Sequence, residues 1–522
     1  MLCAVLPIEK EVYRNMSGKK KLLHLVYGRT IFVAIAIVAQ VLLLLEFFNI
    51  FRNISPLISF VLVILIVNSH TNPVFKLAWI IPIMIFPVFG GLIYLFFTLQ
   101  SSPRKINKRM QDIFKTTKPL LEKNENVQKD IDDINPQMSN LSKYILDCGG
   151  YPPCENTDVE FFSSGEEKFE SLLDELEKAE KFIFLEYFII NYGYMWDKIL
   201  EILKRKAAQG VEVRVMYDGL CCLALLPFHY PKQLKQYGIK CKMFSPIRPV
   251  LSSYQNNRDH RKIFVIDGKV AYTGGVNLAD NYINRTSKYG HWKDTAIKLE
   301  GDAVNNFTIM FLEMWNITER EPEDYEKYIV PKSDASGNTG KGFVIPYGDS
   351  PYDEYTVGKD VYLDILNTAK HNVKIMTPYL VMDNEMLTAL LYCARRGVDV
   401  SIILPHISDS PTTFMLARRD YPTLINAGIK IYEYTPGFVH AKEFISDGEK
   451  AVVGSINMDY RSLYLHFECA AMMYKCPVIS DISDDYENTR AKCQLMTLED
   501  CKKFPWYQKV GGALLKFIAP LL

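Results

Sequence analysis

The sequence contains an internal repeat, and this repeat is the feature that most limits how the chain can fold. The order strand, helix, strand occurs twice, about 190 residues apart. The first copy has a strand at 182–190, a helix at 195–208 and a strand at 210–215. The second copy has a strand at 373–381, a helix that ends at 395 and a strand at 397–403. Strands that alternate with helical crossovers predict an α/β fold in which helices cover a mostly parallel sheet. We therefore expect two homologous lobes, at 141–330 and 342–522, joined by the polar stretch 331–341.

Each lobe ends in the same set of polar residues. The spacing is identical in both copies: seven residues from histidine to aspartate, seven more to glycine and three more to asparagine. The two sets are His260, Lys262, Asp267, Gly274 and Asn277 in the first lobe, and His440, Lys442, Asp447, Gly454 and Asn457 in the second. The chain has only nine histidines in 522 residues. A single His-x-Lys would more often be structural, but the duplication in matching places indicates a function.

The residues around each histidine predict how the set is presented. The residues that follow His260 and His440 have strand character, and a strand projects alternate side chains to one face, so each histidine and its lysine point the same way. Asp267 and Asp447 are each followed by glycine between two strand-like runs, which is a strong hairpin signal. These aspartates, counted here among the candidate catalytic residues, could therefore shape the turn instead of reacting.

Two histidines, two lysines and two asparagines in one cleft would suit a phosphodiester. A neutral imidazole can attack phosphorus covalently, while a second, protonated imidazole donates a proton to the leaving alkoxide. Lys262, Lys442, Asn277 and Asn457 would hold the non-bridging oxygens and stabilise charge in the transition state. This chemistry requires no metal ion and no other cofactor.

Each catalytic histidine also needs an acceptor for its second ring nitrogen, which fixes its tautomer. Asp294 and Glu468 lie 34 and 28 residues after His260 and His440, respectively, each on the next apolar stretch. We expect these two carboxylates to orient the histidines. The alternative is that both are ordinary surface acids.

Apolar residues are concentrated near the N-terminus, in runs at 31–45, 54–67 and 77–97. The third run has 21 residues without a charge, which matches the ~20 residues needed to cross a bilayer. We expect a basic segment at 1–28, a membrane region of two or three helices at 29–100, and a polar linker or amphipathic surface segment at 101–140. Basic residues flank the apolar block on both sides, which favours a cytoplasmic position for both flanks. If both flanks lie on the same side of the membrane, the chain must cross it an even number of times. The sequence has three apolar runs, so the number of spans stays open.

The amino-acid composition limits which functional classes and cellular compartments suit the chain. The 60 basic and 60 acidic residues balance, which gives no overall attraction to nucleic acid. The 11 cysteines are odd in number and scattered, and this is typical of free thiols in a reducing compartment. The two lobes are therefore predicted to be cytoplasmic, on a chain that crosses the cell membrane more than once.

The paired motif resembles that of the phospholipase D superfamily, over a region from about Val159 to the C-terminus. Within that superfamily, the apolar stretch 72–94 and the segments 274–278, 292–294 and 457–462 are similar to those of bacterial cardiolipin synthases. The resemblance implies transfer of a phosphatidyl group between two phosphatidylglycerol molecules in the lipid bilayer, giving cardiolipin and glycerol. It also implies that His260 is the nucleophile and His440 the general acid and base. His466 and the additional first apolar run depart from the family pattern.

Three alternatives remain open at this point. A membrane-bound hydrolase of the phospholipase D type would use the same intermediate with water as the acceptor. A nuclease or phosphodiesterase would use the same chemistry, although the zero net charge and the apolar region disfavour it. A lipid-binding relative with an inactive site is disfavoured by the intact motifs. The sequence does not indicate an oligomeric state.

Overall fold

The computed structural model describes residues 55–69, 71–98, 101–121, 125–246, 253–319, 323–331 and 340–516, and the single positions 35, 38, 39, 42 and 519. The basic segment 1–28, most of the first apolar run at 31–45 and most of the joint at 331–341 lie outside these residues.

Twenty strands form the two large sheets and two small ones within the described residues. The strands are β1 Thr157–Phe162, β2 Phe182–Tyr187, β3 Glu212–Asp218, β4 Lys240–Phe244, β5 Arg258–Asp259, β6 Lys262–Ile266, β7 Val270–Gly274, β8 His291–Lys293, β9 Ala296–Gly301, β10 Phe343–Asp349, β11 Asn372–Met376, β12 Leu380–Val381, β13 Asp399–Pro405, β14 Lys430–Tyr434, β15 Gly437–Val439, β16 Glu443–Ser446, β17 Lys450–Gly454, β18 Met458–Asp459, β19 His466–Tyr474 and β20 Cys493–Leu495.

The helices lie between and around these strands. They are α1 Ser55–Val67, α2 Pro73–Ile85, α3 Pro87–Thr98, α4 Ser101–Thr117, α5 Glu125–Ile134, α6 Pro136–Tyr144, α7 Gly165–Lys178, α8 Tyr194–Ala208, α9 Tyr230–Lys235, α10 Val304–Asn316, α11 Val357–Thr368, α12 Asn384–Arg395, α13 Pro411–Asn426, α14 Tyr460–Tyr464, α15 Val478–Arg490, α16 Leu498–Lys503 and α17 Trp506–Leu515.

The two large sheets have the same strand order, which confirms the predicted two-lobe repeat. The first lobe has the order β1-β9-β7-β6-β2-β3-β4, and the second has β10-β19-β17-β16-β11-β13-β14, extended at one edge by β20. Each strand of the first lobe therefore has a counterpart at the same place in the second. The motif strands β6 and β16 lie at the centre of their sheets, where both faces are buried.

The prediction of a mostly parallel sheet was wrong. In each lobe only two neighbouring pairs are parallel, β2 with β3 and β3 with β4 in the first and β11 with β13 and β13 with β14 in the second. Helical crossovers connect these strands, as parallel pairing requires. The motif strands are instead joined by tight Asp-Gly turns, with positive φ at Asp267, Gly268, Asp447 and Gly448. Such turns connect antiparallel strands.

A single apolar core joins the two lobes. Phe184 and Ala271 of the first lobe belong to the same buried cluster as Val373 and Met472 of the second. Helix α10 runs through this cluster, and nearly all of its residues are buried. A second cluster, around Trp196 and Leu203, covers the other face of the first sheet. The lobes are therefore held as one unit.

The segment 101–140 is more than a linker. It forms α4, α5 and most of α6, whose apolar residues are buried in the shared core; these include Met110, Ile113, Val127, Ile131 and Met138. Thr117 donates a hydrogen bond of 2.7 Å to the buried Glu313 of α10. Of the two interpretations offered for this segment, the amphipathic one describes its structure, and its helices cover the core on one side.

The apolar run 77–97 is broken into two helices. Helix α2 ends at Ile85 and α3 begins at Pro87, because proline has no N–H and disfavours helical backbone in the residue before it. A Cβ at Gly90 would lie 2.7 Å from the Cα of Ile83, so this glycine allows the two helices to pack closely. Among the described residues, no helix combines the length and the apolar composition that a membrane span requires.

The apolar helices are attached to the second lobe. The side chain of Asn72, which caps α2, donates a 3.0 Å hydrogen bond to the hydroxyl of Tyr464. Phe75 packs edge-on against Tyr460 and Tyr464, with ring centroids 6.2 and 5.5 Å away. The first turn of α2 is thus fixed to α14, which immediately precedes the strand β19.

Candidate active site

Short strands that cross between the lobes fix the backbone of both motif histidines. Strand β5, just before His260, pairs with β19 of the second lobe, and the amide of His260 donates a 2.9 Å hydrogen bond to the carbonyl of Phe467. Strand β15, just before His440, pairs with β8 of the first lobe. The amide of His440 donates a 2.7 Å hydrogen bond to the carbonyl of Lys293. Each histidine therefore lies where its own lobe meets the other.

The structure brings the predicted carboxylates to the histidines, but each carboxylate contacts the histidine of the opposite lobe. Nδ1 of His260 lies 2.8 and 2.9 Å from the two carboxylate oxygens of Glu468. Nδ1 of His440 lies 2.7 Å from Oδ2 of Asp294. Each acid thus contacts the histidine of the other lobe and not the one that precedes it in its own lobe. The interpretation of Asp294 and Glu468 as ordinary surface acids was wrong, because both are fully buried.

The repeat explains this exchange. Asp294 lies two residues before Ala296, which pairs with Gly274, and Glu468 lies two residues before Ala470, which pairs with Gly454. The two acids are therefore equivalent positions of the repeat. Each is preceded by the residue whose carbonyl accepts the hydrogen bond from the histidine of the other lobe. In each lobe two consecutive residues thus fix the partner histidine, one through its backbone and the other through its imidazole.

The two histidine side chains are nearly inaccessible, with His260 5% and His440 6% exposed. In both, the carboxylate occupies Nδ1. Nε2 is therefore the ring nitrogen that remains to react with a substrate. The bond to the carboxylate fixes the tautomer in which Nε2 carries a lone pair.

The motif lysines are buried beside the histidines. Nζ of Lys262 donates a 2.7 Å hydrogen bond to the carbonyl of His260. Nζ of Lys442 contacts the carbonyl of His440 and lies 2.9 Å from its Nδ1. Both lysines are only 1% exposed. They place positive charge at the base of the site, where an anionic phosphate would be stabilised.

The two motif asparagines have different surroundings. Asn277 is engaged within the protein, because its Oδ1 accepts a 3.1 Å hydrogen bond from the amide of Ile189 and its Nδ2 donates a 2.8 Å bond to the hydroxyl of Tyr282. The ring of Tyr282 in turn lies against His440, with centroids 5.4 Å apart. Oδ1 of Asn457 is buried without a hydrogen-bond partner. Asn457 therefore has an acceptor available for a hydroxyl group of a ligand, whereas both polar atoms of the Asn277 side chain are engaged.

The structure removes the motif aspartates from the set of reacting residues. The carboxylate of Asp267 accepts three backbone hydrogen bonds of 2.7 to 2.8 Å, from residues 180, 181 and 182. Asp447 accepts three of 2.7 to 2.9 Å from residues 370, 371 and 372. Each aspartate is at the far end of its motif strand, roughly 16 Å from the lysine at ~3.3 Å per residue. These aspartates fix the hairpin turn to the start of the neighbouring strand.

Burial favours the neutral form of both imidazoles. It lowers the pKa of His260 to about 3, against the opposing effect of Glu468. Burial and the charge of Lys442 lower the pKa of His440 to about 4. Burial also lowers the pKa of Lys442 to about 7. A neutral imidazole is the form that can act as a nucleophile or a base.

The paired carboxylates stay ionised. Burial acts to raise the pKa of Glu468, but His260 and His466 together hold the pKa below its ordinary value. Burial likewise acts to raise the pKa of Asp294, but His440, Lys442 and the amide of Thr295 together lower it. A carboxylate beside Nδ1 favours the charged form of an imidazole. A bound phosphodiester adds a second negative charge near the ring. Both negative charges raise the pKa of the histidines, so that one of them can carry a proton.

Two aromatic residues that the motif does not contain complete the site. Trp292 and His466 each lie two residues before the acid of their lobe and face the histidine of the other lobe. The ring centroids of Trp292 and His440 are 5.3 Å apart, and those of His466 and His260 are 5.6 Å apart. The repeat thus places an indole beside one histidine and a third imidazole beside the other. Their common position, two residues before each acid, is a signal in the sequence that could have identified them as site residues.

A glycine and a serine occupy equivalent places behind the two acids. A Cβ at Gly275 would lie 2.0 Å from Oδ1 of Asp294 and 2.8 Å from the carbonyl of His440. In the second lobe, Ser455 donates a short hydrogen bond to Glu468. Only glycine leaves room for the Asp294–His440 pair, whereas Ser455 gives Glu468 an additional donor.

One group in the described part of the chain has potential metal-ligand atoms close together. The atoms of His260, His466 and Glu468 all lie within 4.8 Å of one another. Nδ1 of His466 is 3.8 Å from Oε1 of Glu468, and neither ring nitrogen of His466 has a hydrogen-bond partner. Glu468 already contacts His260 and Ser455 with its oxygens.

Comparison with known proteins identifies both the lobes and the apolar helices. The family model described as cardiolipin synthase, phospholipase D-like domain, matches residues 172–315 and 362–490. A second model, described as the phospholipase D-nuclease N-terminal region, matches residues 57–97. These matches cover the motif of each lobe and helices α1 to α3.

Several bacterial proteins are similar along most of the chain. A functionally uncharacterized protein of Streptococcus mutans is 47% identical over 88% of this chain and 99% of its own length. A cardiolipin synthase of Geobacillus kaustophilus is 32% identical over 89% of this chain and 92% of its own. Cardiolipin synthase 1 of Staphylococcus aureus is 30% identical, over 90% and 96%.

A solved structure shares the fold. The phosphatidylserine synthase of Haemophilus influenzae is superposed with a TM-score of 0.55 over 74% of this chain and 98% of its own, at 14% identity. This likeness concerns the fold of the two lobes alone. Together with the matched family model and the relatives above, the duplicated lobes establish that this chain belongs to the cardiolipin synthase family of phospholipase D-like proteins.

Proposed function

We propose that this protein is a cardiolipin synthase, a phosphatidyltransferase that joins two phosphatidylglycerol molecules into cardiolipin and releases glycerol. The observation that carries the proposal is the pair of buried histidines, each held by a carboxylate of the opposite lobe. This arrangement provides two imidazoles with free Nε2 atoms in one site. Family membership supplies the lipid substrate, since curated relatives at about 30% identity are named cardiolipin synthases.

In the first step, Nε2 of His260 attacks the phosphorus of one phosphatidylglycerol. The bond between phosphorus and the glycerol oxygen breaks, and His440 gives its proton to that oxygen. A phosphatidyl-histidine and free glycerol result. Lys262, Lys442 and Asn457 contact the non-bridging oxygens, where negative charge develops.

In the second step, a headgroup hydroxyl of another phosphatidylglycerol attacks the same phosphorus. His440 accepts the proton of that hydroxyl, the bond to His260 breaks, and cardiolipin leaves. The division of roles between the two histidines follows the family resemblance.

The proposal includes a membrane position. Helices α1 to α3 expose large apolar side chains, including Phe60, Leu65, Met84 and Ile85, and the first turn of α2 is fixed to the second lobe. We infer that these helices enter the bilayer and hold the site near its lipid substrates. The ten cysteines in the described residues form no disulfide with one another, which supports cytoplasmic lobes. Rapid modification of these thiols in intact cells by an impermeant reagent would contradict a cytoplasmic location of the lobes.

The proposed reaction is tested with purified protein in vesicles that contain phosphatidylglycerol labelled in the headgroup glycerol. The expected products are labelled cardiolipin and free glycerol in equal amounts. Phosphatidic acid and glycerol would identify a hydrolase instead. Phosphatidylethanolamine, offered as a second donor or acceptor, tests the choice of headgroup.

A further inference from the structure

The C-terminal helix α17 has an apolar face that nothing in the described residues covers. Trp506, Tyr507, Val510 and Leu514 are 73%, 57%, 50% and 63% exposed. At 100° per residue these four side chains lie within one face of about 100°. Four exposed apolar residues on one short helix, two of them aromatic, form a contiguous patch of the kind that marks an interaction site.

The opposite face of α17 is fixed to the second lobe. A Cβ at Gly512 would lie 2.8 Å from the carbonyl of Met415 on α13, so the two helices are in close contact there. Leu515 packs on the small buried cluster of Val381, Leu416 and Tyr460. The exposed face is therefore held in a fixed direction and cannot turn inward.

The apolar helices of the N-terminal region reach the same cluster. Val74 and Phe75 of α2 also pack on it. The first turn of α2 and the last turn of α17 thus meet at one point of the second lobe. Two apolar regions from distant parts of the sequence are therefore anchored at the same cluster of the second lobe.

The charges around α17 are predominantly basic. Between Leu498 and Lys516 the chain has four lysines, at 502, 503, 509 and 516, and two acids, at 499 and 500. Lys502 and Lys503 are highly exposed and form ion pairs with Glu499 and Asp500, so Lys509 and Lys516 carry the net positive charge of this segment. An apolar face with exposed tryptophan and tyrosine, bordered by lysines, has the character of a helix that lies in the interface of an anionic bilayer. Its ten residues are too few to cross one.

We propose that α17 is a second membrane contact, in which Trp506, Tyr507, Val510 and Leu514 insert between the headgroups of anionic lipids while Lys502, Lys503 and Lys509 remain at the surface. Together with α2, this contact fixes the orientation of the second lobe on the bilayer at two points. The proposal concerns lipid binding and not the reaction, so it stands or falls apart from the proposed activity.

The first test uses the fluorescence of Trp506 in the full-length protein. Vesicles of phosphatidylglycerol and phosphatidylcholine carry bromine on their acyl chains, which quenches a nearby indole. The Trp506→Phe variant gives the contribution of the other four tryptophans. We expect Trp506 emission to be quenched and shifted to shorter wavelength. Equal quenching in the parent protein and in Trp506→Phe would refute the insertion.

The second test replaces the apolar face by a triple variant, Trp506→Ser, Val510→Ser and Leu514→Ser. We expect at least about tenfold lower activity on vesicles, with unchanged kcat/KM on a dissolved short-chain phosphatidylglycerol. Tyr237→Ser, an exposed aromatic position on the first lobe, is the matched control. Unchanged vesicle activity in the triple variant would contradict the proposal. Conversion of an oligomer to a monomer by the same variant would assign the face to a second copy of the chain, which also overturns it.

Short-chain substrate separates the two proposals. If it is not converted at all, the proposed activity fails, while the quenching experiment still reports on α17. If it is converted normally but Trp506 is not quenched, the activity stands and the membrane contact fails.

Discussion

The pairing of each histidine with the acid of the opposite lobe makes a prediction that does not depend on activity. His260→Ala leaves Glu468 as a fully buried charge that has lost two contacts of 2.8 and 2.9 Å. Loss of a hydrogen-bond partner from a buried charged group destabilises a protein by about 3 kcal/mol or more. Glu468→Gln removes the charge itself. In the double variant the unpaired charge is absent, so we expect less destabilisation than the sum of the two single changes.

The magnitude of this difference identifies the partner. For residues in contact, we expect a coupling free energy of about 1 to 3 kcal/mol. The same-lobe combination of His440→Ala with Glu468→Gln should be additive to within about 0.5 kcal/mol. The second cross-lobe pair, His440→Ala with Asp294→Asn, should show coupling like that of the first.

The assay is denaturant unfolding of the four proteins of each cycle, in detergent, monitored by tryptophan fluorescence. The matched control is the same-lobe cycle, which contains the same substitutions in a different combination. Equal coupling in the same-lobe and cross-lobe cycles would refute the exchange of partners. Coupling found only within a lobe would restore the simpler arrangement that the sequence suggested.

Three further predictions concern stability and the shape of the site. First, burial lowers the pKa of His440 to about 4. Between about pH 4 and 6.5 the unfolded chain therefore binds more protons than the folded protein. The free energy of unfolding should fall as pH decreases through this window, by up to about 1.4 kcal/mol per pH unit. His440→Phe should reduce this slope in unfolding curves recorded at several pH values, and an unchanged slope would contradict a neutral buried imidazole. Second, Gly275→Ala should lower kcat by at least about tenfold, because the added Cβ displaces Asp294. Gly149→Ala, where the nearest atom would lie at an ordinary contact distance of 3.4 Å, serves as the control; equal activities would argue against a role for this packing. Third, Asp267→Ala should destabilise the fold by roughly 2 to 3 kcal/mol through three lost backbone hydrogen bonds, with an unaltered pH profile of activity; a changed profile would return this aspartate to the reacting set.

The parts of the site that depend on local chemistry could be predicted from the sequence. Asp-Gly pairs at 267–268 and 447–448 indicated tight turns, and both have the positive φ angles of such turns. The strand periodicity placed each histidine and lysine together. Asp294 and Glu468 were identifiable as equivalent acids on apolar stretches, because burial of a carboxylate requires a partner.

The choice of partner could not be predicted in the same way. It depends on how β5 packs beside β19 and β15 beside β8, and these are contacts between residues about 200 and 150 positions apart. No local pattern encodes such a contact. The mostly parallel sheet was a different kind of error, since the Asp-Gly turns already implied antiparallel motif strands.

The role of the apolar region was only partly encoded. Proline at position 87 already indicated the break between α2 and α3. The attachment of α2 to Tyr460 and Tyr464 is again a contact between distant residues. The exposed face of α17 became evident only when its other face was seen to pack on α13.

The most direct test of the central claim is to locate the covalent intermediate. Protein with His440→Ala is mixed with phosphatidylglycerol, quenched with alkali, which preserves phosphohistidine, and digested for mass spectrometry. A phosphatidyl group on His260, which accumulates because the general acid and base is missing, is the result that this account predicts. An adduct that is lost in His440→Ala but present in His260→Ala would contradict it.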